Sequence, residues 1–465
     1  MRDTAFQTVK KLREAGYQAF WVGGCVRDLL MGLNPKDYDV ATSALPEEVQ
    51  RLFPHTLAVG AQFGVVLVEE DGWQMEVSTF RRDGAYEDGR HPSGVCYCSD
   101  PRRDVLRRDF TINGMMYDPL EERLLDWVGG QEDLQSGLIR AIGEPRERFR
   151  EDRLRLMRAL RFAARFGYGV EEKTAGALRE EAAQILEVSA ERIREELTRI
   201  LTEGAAARGL SLLDQFGLLG ILLPEMAALQ GVEQPPQFHP EGDVWVHTLK
   251  MLELMDQACQ QVRENSPIAC LGRVAGEEPA IPGIRDYPGL TLAMGVLLHD
   301  VGKPPTFEVR DRIRFHNHAE TGARMAAGIC ERLRFSRKQS DQIIALVRDH
   351  LRFIELPRMR PATLKRFLRQ EGFAEHLELH RLDCLASHGI LENYFVAREA
   401  WLRLKPEEAH PARILTGHDL VRMGYRPGPL FQKILRNLED AQLDGELKNR
   451  DEAMEFVRIR FPAEE

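Results

Sequence analysis

The sequence predicts an α+β protein, a small mixed head followed by a long all-α body. Three observations carry this. Up to about residue 140, short β-like runs (Ala19–Val22, Tyr38–Ala41, Val65–Val68, Met75–Phe80, Thr111–Met116) alternate with helical patterns and turns. From about Glu147 onward the apolar spacing is helical, as in Leu154, Met157, Leu160, Ala164 and in Ile193, Leu197, Ile200, Leu201. Two turn-rich stretches interrupt that body. Gln234–Asp243 reads as a domain boundary, and Ser266–Leu290 as a long loop or insertion.

At 465 residues the chain is long enough for about three domains. Hydrophobic residues make up 43% and charged residues 29%, which is globular composition. No run of about 18 apolar residues occurs, so no membrane span is expected. The first residues form an amphipathic pattern without an apolar signal region. Seven cysteines, an odd number, favour free thiols and a cytoplasmic setting. Cys96 and Cys98 lack a second pair and are assigned no metal. The net charge of −10 confines any nucleic-acid site to local patches. Two exist. Arg140–Arg165 holds nine Arg against four acids, and Arg332–Arg369 holds eleven Lys/Arg against three.

In the head, Val22-Gly-Gly-Cys-Val-Arg27-Asp28 reads as strand, glycine turn and helix. Glycines let a backbone approach phosphate, and the new helix offers free N–H groups. Alone, such a turn is commonplace. Asp37 and Asp39, two apart in a strand, face the same way. Adjacent carboxylates invite a divalent cation, and Mg²⁺ held by two carboxylates and substrate phosphates is the natural fit.

In combination, these features resemble the class II tRNA nucleotidyltransferase and bacterial poly(A) polymerase family, within the polymerase-β-like nucleotidyltransferases. The resemblance continues in order through Glu76-Val-Ser-Thr-Phe-Arg81, Arg107-Arg-Asp-Phe-Thr-Ile-Asn113, Asp126-X-X-Gly-Gly-Gln-Glu-Asp-Leu134, Glu151-Asp-Arg-Leu-Arg155 and Glu191-Arg-Ile-Arg-Glu-Glu-Leu197. It covers about residues 17–230. It implies a template-independent polymerase in which an RNA 3′-hydroxyl attacks the α-phosphate of a nucleoside triphosphate and pyrophosphate leaves. Asp37 and Asp39 would hold Mg²⁺, with Glu76 a third carboxylate or a structural acid. Gly24, Arg27 and Arg108 would contact the triphosphate. Asp109 and Asn113 could instead fix the turn presenting Arg108.

Asp152 and Arg155 are expected three apart on one helix face. Asp accepts and Arg donates. Cytosine and adenine each offer an amine beside an acceptor, whereas uracil and guanine would set oxygen against Asp152. Such a mismatch is rejected by about 10⁴–10⁵. This logic selects C and A, in keeping with the CCA addition that the resemblance suggests. Arg158 and Arg161 continue the spacing; Arg161 turns to the opposite side from Asp152. The resemblance leads them to triphosphate or primer, and solvated arginines are the alternative. Asp83–Ser99 (Gly84, Tyr86, Asp88, Gly89, Arg90, His91, Pro92) reads as a mobile loop, which in the family is needed for the final A.

Further on, Leu-Leu-His299-Asp300-Val-Gly-Lys-Pro resembles the HD-superfamily phosphohydrolase core. With it go His247 on a helix Val244–Met255, Asp383 on Leu377–Leu385, His318, and His350 closing a helix. Imidazoles and carboxylates from separate helices can converge on a divalent transition metal. His247, His299, Asp300 and Asp383 are the expected ligands, and His318 and His350 would complete a second metal. The resemblance implies phosphodiesterase or phosphatase activity; a retained helical scaffold is the alternative.

The expected division is a head at 1–143, a helical neck with the base template at 144–233, an HD domain at 240–395 and a helical tail at 396–465. Expected partners are CTP, ATP and the acceptor and TΨC arm of tRNA, with the basic helix Met359–Arg369 meeting phosphates. A monomer or homodimer is expected. Poly(A) polymerase, CC-only or A-only addition, and an RNA-binding HD hydrolase remain open.

Overall fold

A computed structural model of the protein describes residues 1–57, 64–83, 94–264, 287–405 and 411–462. It divides into two compact units, Met1–Ala227 and Ala228–Glu465.

The first unit opens with α1 (Arg2–Glu14), β1 (Ala19–Val22), α2 (Gly24–Leu30), β2 (Asp39–Thr42), α3 (Pro46–Leu52), β3 (Thr56–Leu57), β4 (Val65–Glu70) and β5 (Trp73–Thr79). A separate hairpin follows, β6 (Arg81–Asp83) against β7 (Val95–Tyr97), then α4 (Pro101–Leu106), β8 (Met116–Asp118), β9 (Arg123–Leu125) and α5 (Gly130–Ser136). Seven strands form one mixed sheet in the order β3-β4-β5-β2-β1-β8-β9. Strand β1, Ala-Phe-Trp-Val, is apolar throughout because it is buried on both faces. Trp21 points with Val40, Val66 and Val77 toward α1 and α3, whose Ala5, Val9, Leu12 and Val49 join that core. Phe20 and Val22 face the other way, against Ala41, Phe80, Val105 and Met116.

One expected strand is corrected. Thr111–Asn113 is a 3₁₀ turn, and the strand begins at Met116. Asp109 causes this by accepting hydrogen bonds from the Phe110 N–H (2.8 Å) and from Asn113 Nδ2 (3.1 Å). Such local bonds compete with a ladder. Positions 84–93 of the expected Asp83–Ser99 loop, and 266–286 of the expected Ser266–Leu290 loop, lie outside the described residues.

The neck comprises α6 (Pro145–Glu151), α7 (Arg155–Phe166), α8 (Glu172–Glu181), α9 (Ala190–Thr202) and α10 (Ala206–Gln215). In α7, Leu156, Met157, Leu160 and Ala163 are buried, and α7 packs on α9 and α10.

In the second unit the helices Val244–Glu264, Leu290–Leu298, His318–Arg332, Arg337–Asp349 and Phe373–Ala386 form the HD region. Leu290–Leu298 is the central one, buried from Leu292 to Leu298, and so is apolar all round. The body is not wholly helical, since Phe307–Val309 pairs with Ile313–Phe315 as a hairpin. The tail has its own core around Leu420, Ile434, Leu438 and Val457. The basic helix Pro361–Leu368 spends much of its charge inside the fold. Arg366 pairs with Asp440, Arg369 Nη2 donates to Glu439 (2.6 Å), and Lys365 donates to the Leu443 carbonyl (2.9 Å). No helix among the described residues is long and apolar enough to cross a membrane.

Candidate active sites

In the head, the antiparallel register sets Val22 opposite Asp39, which brings the Gly23-Gly24 turn against the start of β2. Gly23 has φ +73°, the left-handed region that favours glycine. A Cβ there would lie 3.4 Å from Arg108 Nη1 and 3.9 Å from Asp39 Oδ2, so turn, guanidinium and carboxylate meet at this point. Parallel pairing of β2 with β5, Val40 opposite Val77, sets Glu76 beside Asp39. Burial raises the Asp39 pKa to about 7; Glu76 and Asp37 add to the rise, and Arg108 opposes it. Three carboxylates thus converge where a cation would relieve their repulsion, which fits a divalent metal.

The arginines predicted for nucleotide contact are held by internal partners. Arg108 donates to buried Asp104 (3.0 Å). Arg27 donates to Asp28 Oδ1 (2.6 and 2.8 Å) and to Asn113 Oδ1 (2.6 Å). Asn113 in turn donates to Asp109, whose other oxygen receives Arg158 (2.6 Å). Burial alone would raise the Asp109 pKa, but Arg158 holds it at about 2. Arg161 is not solvated. It lies 4% exposed and donates to buried Glu196 (2.7 Å). Arg27, Arg158 and Arg161 surround the Phe162 ring at 5.4, 5.3 and 4.3 Å. Asp109 and Asn113 therefore fix a turn, and they also tie α2 to α7.

Asp152 and Arg155 do not share a helix. Asp152 ends α6 in an extended conformation, φ −144° and ψ 104°, and α7 begins at Arg155. Asp152 Oδ1 accepts the N–H two residues on, that of Leu154 (3.2 Å), a local bond that competes with the helix. Its Oδ2 accepts from Arg192 of α9 (2.9 Å). Arg155 donates to Glu151 (2.7 Å) and to the carbonyls of Arg148 (3.0 Å) and Arg107 (3.1 Å). The two are neighbours across a helix break, each oriented by a separate set of partners. Arg192, Asp104 and Glu196 were given no role by sequence reasoning.

The second unit gathers its ligands more tightly. Among the described residues, ligand atoms lie within 4.8 Å of one another in three groups: His247, His299 and Asp383; Asp300, His318 and His350; and His239, Glu241 and His247. The adjacent His299 and Asp300 serve one group each, so the dyad joins two candidate metal positions. Asp300 Oδ1 faces His318 and His350, while its Oδ2 lies 3.1 Å from His299 Nε2, so this carboxylate borders both sets. Gly302 permits this, since a Cβ there would lie 2.1 Å from the His318 carbonyl.

The chemistry of these donors fits a cation. His318 and His350 direct Nδ1 at the carbonyls of Phe315 (3.0 Å) and Val347 (2.6 Å). Their Nε2 atoms then face each other at 3.3 Å, with Asp300 Oδ1 3.5 and 3.8 Å away. Burial lowers both pKa values, that of His350 to about 4, so the rings are neutral and carry lone pairs. The buried Nε2 atoms of His247 and His299 have no well-formed hydrogen bond; they stand 3.2 Å from Asp383 Oδ1 and 3.1 Å from Asp300 Oδ2 respectively. Burial alone would lower the His247 pKa, but Asp383 and Glu241 raise it to about 9. Asp300 is held well below the carboxylate range, against its burial, by His299, Lys303 and His318. Lys303 Nζ lies 2.6 Å from Asp300 Oδ2. Lys303, His239 and Glu241 were not singled out from the sequence.

A mixed sheet with a glycine turn and an acidic strand, joined to a helical unit with an HD cluster, defines a nucleotidyltransferase-type head with an HD domain. Comparisons agree. Residues 19–140 match the poly A polymerase head domain, 167–230 the "Probable RNA and SrmB- binding site of polymerase A", 244–372 the HD domain and 318–457 tRNA nucleotidyltransferase domain 2. The CCA-adding enzyme of Geobacillus sp. (strain WCH70) is 44% identical over 214 residues, 46% of this chain and 53% of that protein. That of Geobacillus stearothermophilus is 42% identical over 223 residues, 48% of this chain and 55% of that protein. The chain spans about half the length of these curated relatives. Among solved structures, the Bacillus stearothermophilus CCA-adding enzyme in complex with CTP has a TM-score of 0.68 at 27% identity, covering 98% of this chain and 97% of that one. The Thermotoga maritima CCA-adding enzyme with tRNA shares the fold at a TM-score of 0.55 and 21% identity, over 98% and 94%. The chain carries a poly A polymerase head domain and an HD domain in the fold of the CCA-adding enzymes.

Proposed function

We propose that this chain adds CCA to the 3′ ends of tRNA from CTP and ATP, in the cytoplasm. The carrying observation is the convergence of Asp37, Asp39 and Glu76 beside the glycine turn and Arg108, in a chain that aligns along its whole length with a CTP-bound CCA-adding enzyme. Asp37 and Asp39 would hold Mg²⁺, which supplies charge neutralisation and Lewis acidity at the α-phosphate. Arg108, Arg27 and the N-terminus of α2 bind and orient the triphosphate. Asp152 and Arg155 select the base, with Arg192 holding the carboxylate; Arg155 leaves its present carbonyl partners to do so. Arg158 positions α7 against the head through Asp109, and Arg161 holds α7 to α9 through Glu196. The head (1–143) and neck (144–233) carry this reaction, with the neck and tail meeting the acceptor and TΨC arm of tRNA.

The HD domain (240–395) is a second, metal-dependent phosphohydrolase site. His247, His299 and Asp383 would hold one divalent transition metal, and Asp300, His318 and His350 another. The Nε2 atoms of His247 and His299, buried without a well-formed hydrogen bond, support this.

The test is extension of a tRNA ending at the discriminator base, with Mg²⁺ and CTP, ATP or both. Two additions with CTP, and a third only with ATP, are expected. A long ladder with ATP alone would overturn the reading in favour of a poly(A) polymerase, and no extension would leave only the HD hydrolase.

A further inference from the structure

Four histidines line the HD cluster, and three of them set their ring orientation in the same way. His299, His318 and His350 each direct Nδ1 at the backbone carbonyl three residues earlier, those of Val296 (2.9 Å), Phe315 (3.0 Å) and Val347 (2.6 Å). This leaves Nε2 to the cluster. They manage it because each sits at a helix end. His299 caps Leu290–Leu298, His350 caps Arg337–Asp349, and His318 opens its helix, with Phe315 outside it.

His247 has no such carbonyl. It lies within the helix Val244–Glu264, and the carbonyl three residues back, that of Val244, already accepts from Thr248 Oγ1 (2.8 Å). Its Nδ1 instead lies 2.6 Å from Oε1 of Glu241. The same oxygen stands 2.9 Å from Nδ1 of His239, whose ring meets the His247 ring edge-on at 4.9 Å. The Glu241 side chain is only 3% exposed. The turn Gln234–Asp243 that carries it is tied to the cluster a second time, because Gln234 Oε1 accepts from Lys303 Nζ (2.6 Å), the partner of Asp300.

A ligating imidazole normally donates its other N–H to a carboxylate or carbonyl, which fixes the tautomer and raises its basicity. We infer that Glu241 is the positioning residue of the HD metal site. It keeps hydrogen on Nδ1 of His247, so that Nε2 offers its lone pair alongside His299 and Asp383, and it hangs His239 from the same oxygen at the edge of the site. The stretch read from sequence as a boundary thus belongs to the site. This rests on the HD domain binding metal, as proposed above.

The experiment is Mn²⁺ binding to the full-length, metal-stripped protein, by equilibrium dialysis with elemental analysis. Glu241→Ala should weaken binding about 10–100-fold, and Glu241→Gln, which keeps an acceptor oxygen, should fall between it and wild type. Nitrogen-15 spectra of the metal-free protein at a pH where the ring is neutral add a readout that mere destabilisation would not move. The wild type should show His247, assigned by its loss in His247→Ala, protonated at Nδ1, and Glu241→Ala should mix its tautomers. If the alanine variant does not fold, Glu241→Met, of similar volume and without an oxygen, makes the same comparison. Wild-type affinity in the Ala or Met variant, while His299→Ala loses metal, would overturn the role of Glu241. Unchanged binding in His299→Ala would overturn the HD metal reading, and this inference with it.

Discussion

In the head and neck, Arg27, Arg108 and Arg158 each lean on a carboxylate, and Asp152 leans on Arg192. In the HD domain, His247 and His299 present Nε2 atoms with no well-formed hydrogen bond, and His318 and His350 face each other across 3.3 Å. The first arrangement is satisfied from within. Its groups keep their charge and geometry, and on the proposed function a nucleotide's phosphates and base edge would compete for them. The second is unsatisfied in a way that a cation would complete. A polymerizing site that must accept successive nucleotides suits exchangeable partners, whereas a metal site suits fixed lone pairs.

The largest effect that would break this contrast is expected at Asp37. Asp37→Ala should lower nucleotide addition on the order of a thousand-fold or more while leaving Mn²⁺ bound in the HD domain. Activity near wild type in a primer-extension assay would remove the carboxylate site from the head. Next is Asp152→Ala. Discrimination of CTP and ATP against UTP and GTP should fall on the order of a hundred-fold, as the acceptor facing the amine is lost, measured as kcat/KM for each nucleotide. Unchanged selectivity would place the template elsewhere. Arg192→Ala sharpens the same point. It should relax selectivity in the same direction by less, since Leu154 N–H still holds one Asp152 oxygen.

The smallest effect concerns stability. The folded-state pKa of Asp109, about 2, lies below the ordinary carboxylate value. Its contribution is therefore present above about pH 4 and is lost as pH falls toward 2, on the order of 2 kcal/mol in all. Asp109→Asn should unfold more easily in urea at pH 7, and the gap from wild type should narrow as pH drops from 5 to 3. A gap independent of pH would mean that the Arg158 pairing adds little.

The readable parts of both sites are those that the chain keeps local. The glycine turn, the Asp37/Asp39 pair and the His-Asp dyad are each set by neighbours in sequence, although β2 begins only at Asp39 and leaves Asp37 before it, and the strands β1, β2, β4 and β5 follow from apolar runs between turns. What escaped depends on long-range partners. Nothing near Asp152 announces Arg192, forty positions away, and no Gly or Pro marks the helix break at Asp152, whose side chain takes the Leu154 N–H. Arg161 reads as a triphosphate or primer contact, or else as a solvated arginine, until Glu196 of another helix is set against it. His239 and Glu241 were hidden because a Pro- and Gly-rich turn looks like a linker, although its Gln234 and Glu241 reach Lys303 and His247.

On the proposed function, two chemistries reside in two separate side-chain sets. The most direct test reads both on one panel: CCA addition to a truncated tRNA, and Mn²⁺ bound per chain, for wild type, Asp39→Ala and His299→Ala. Asp39→Ala should lose addition and keep its HD metal, while His299→Ala should lose metal and still add C, C and A. Loss of both properties in either folded variant would contradict that separation.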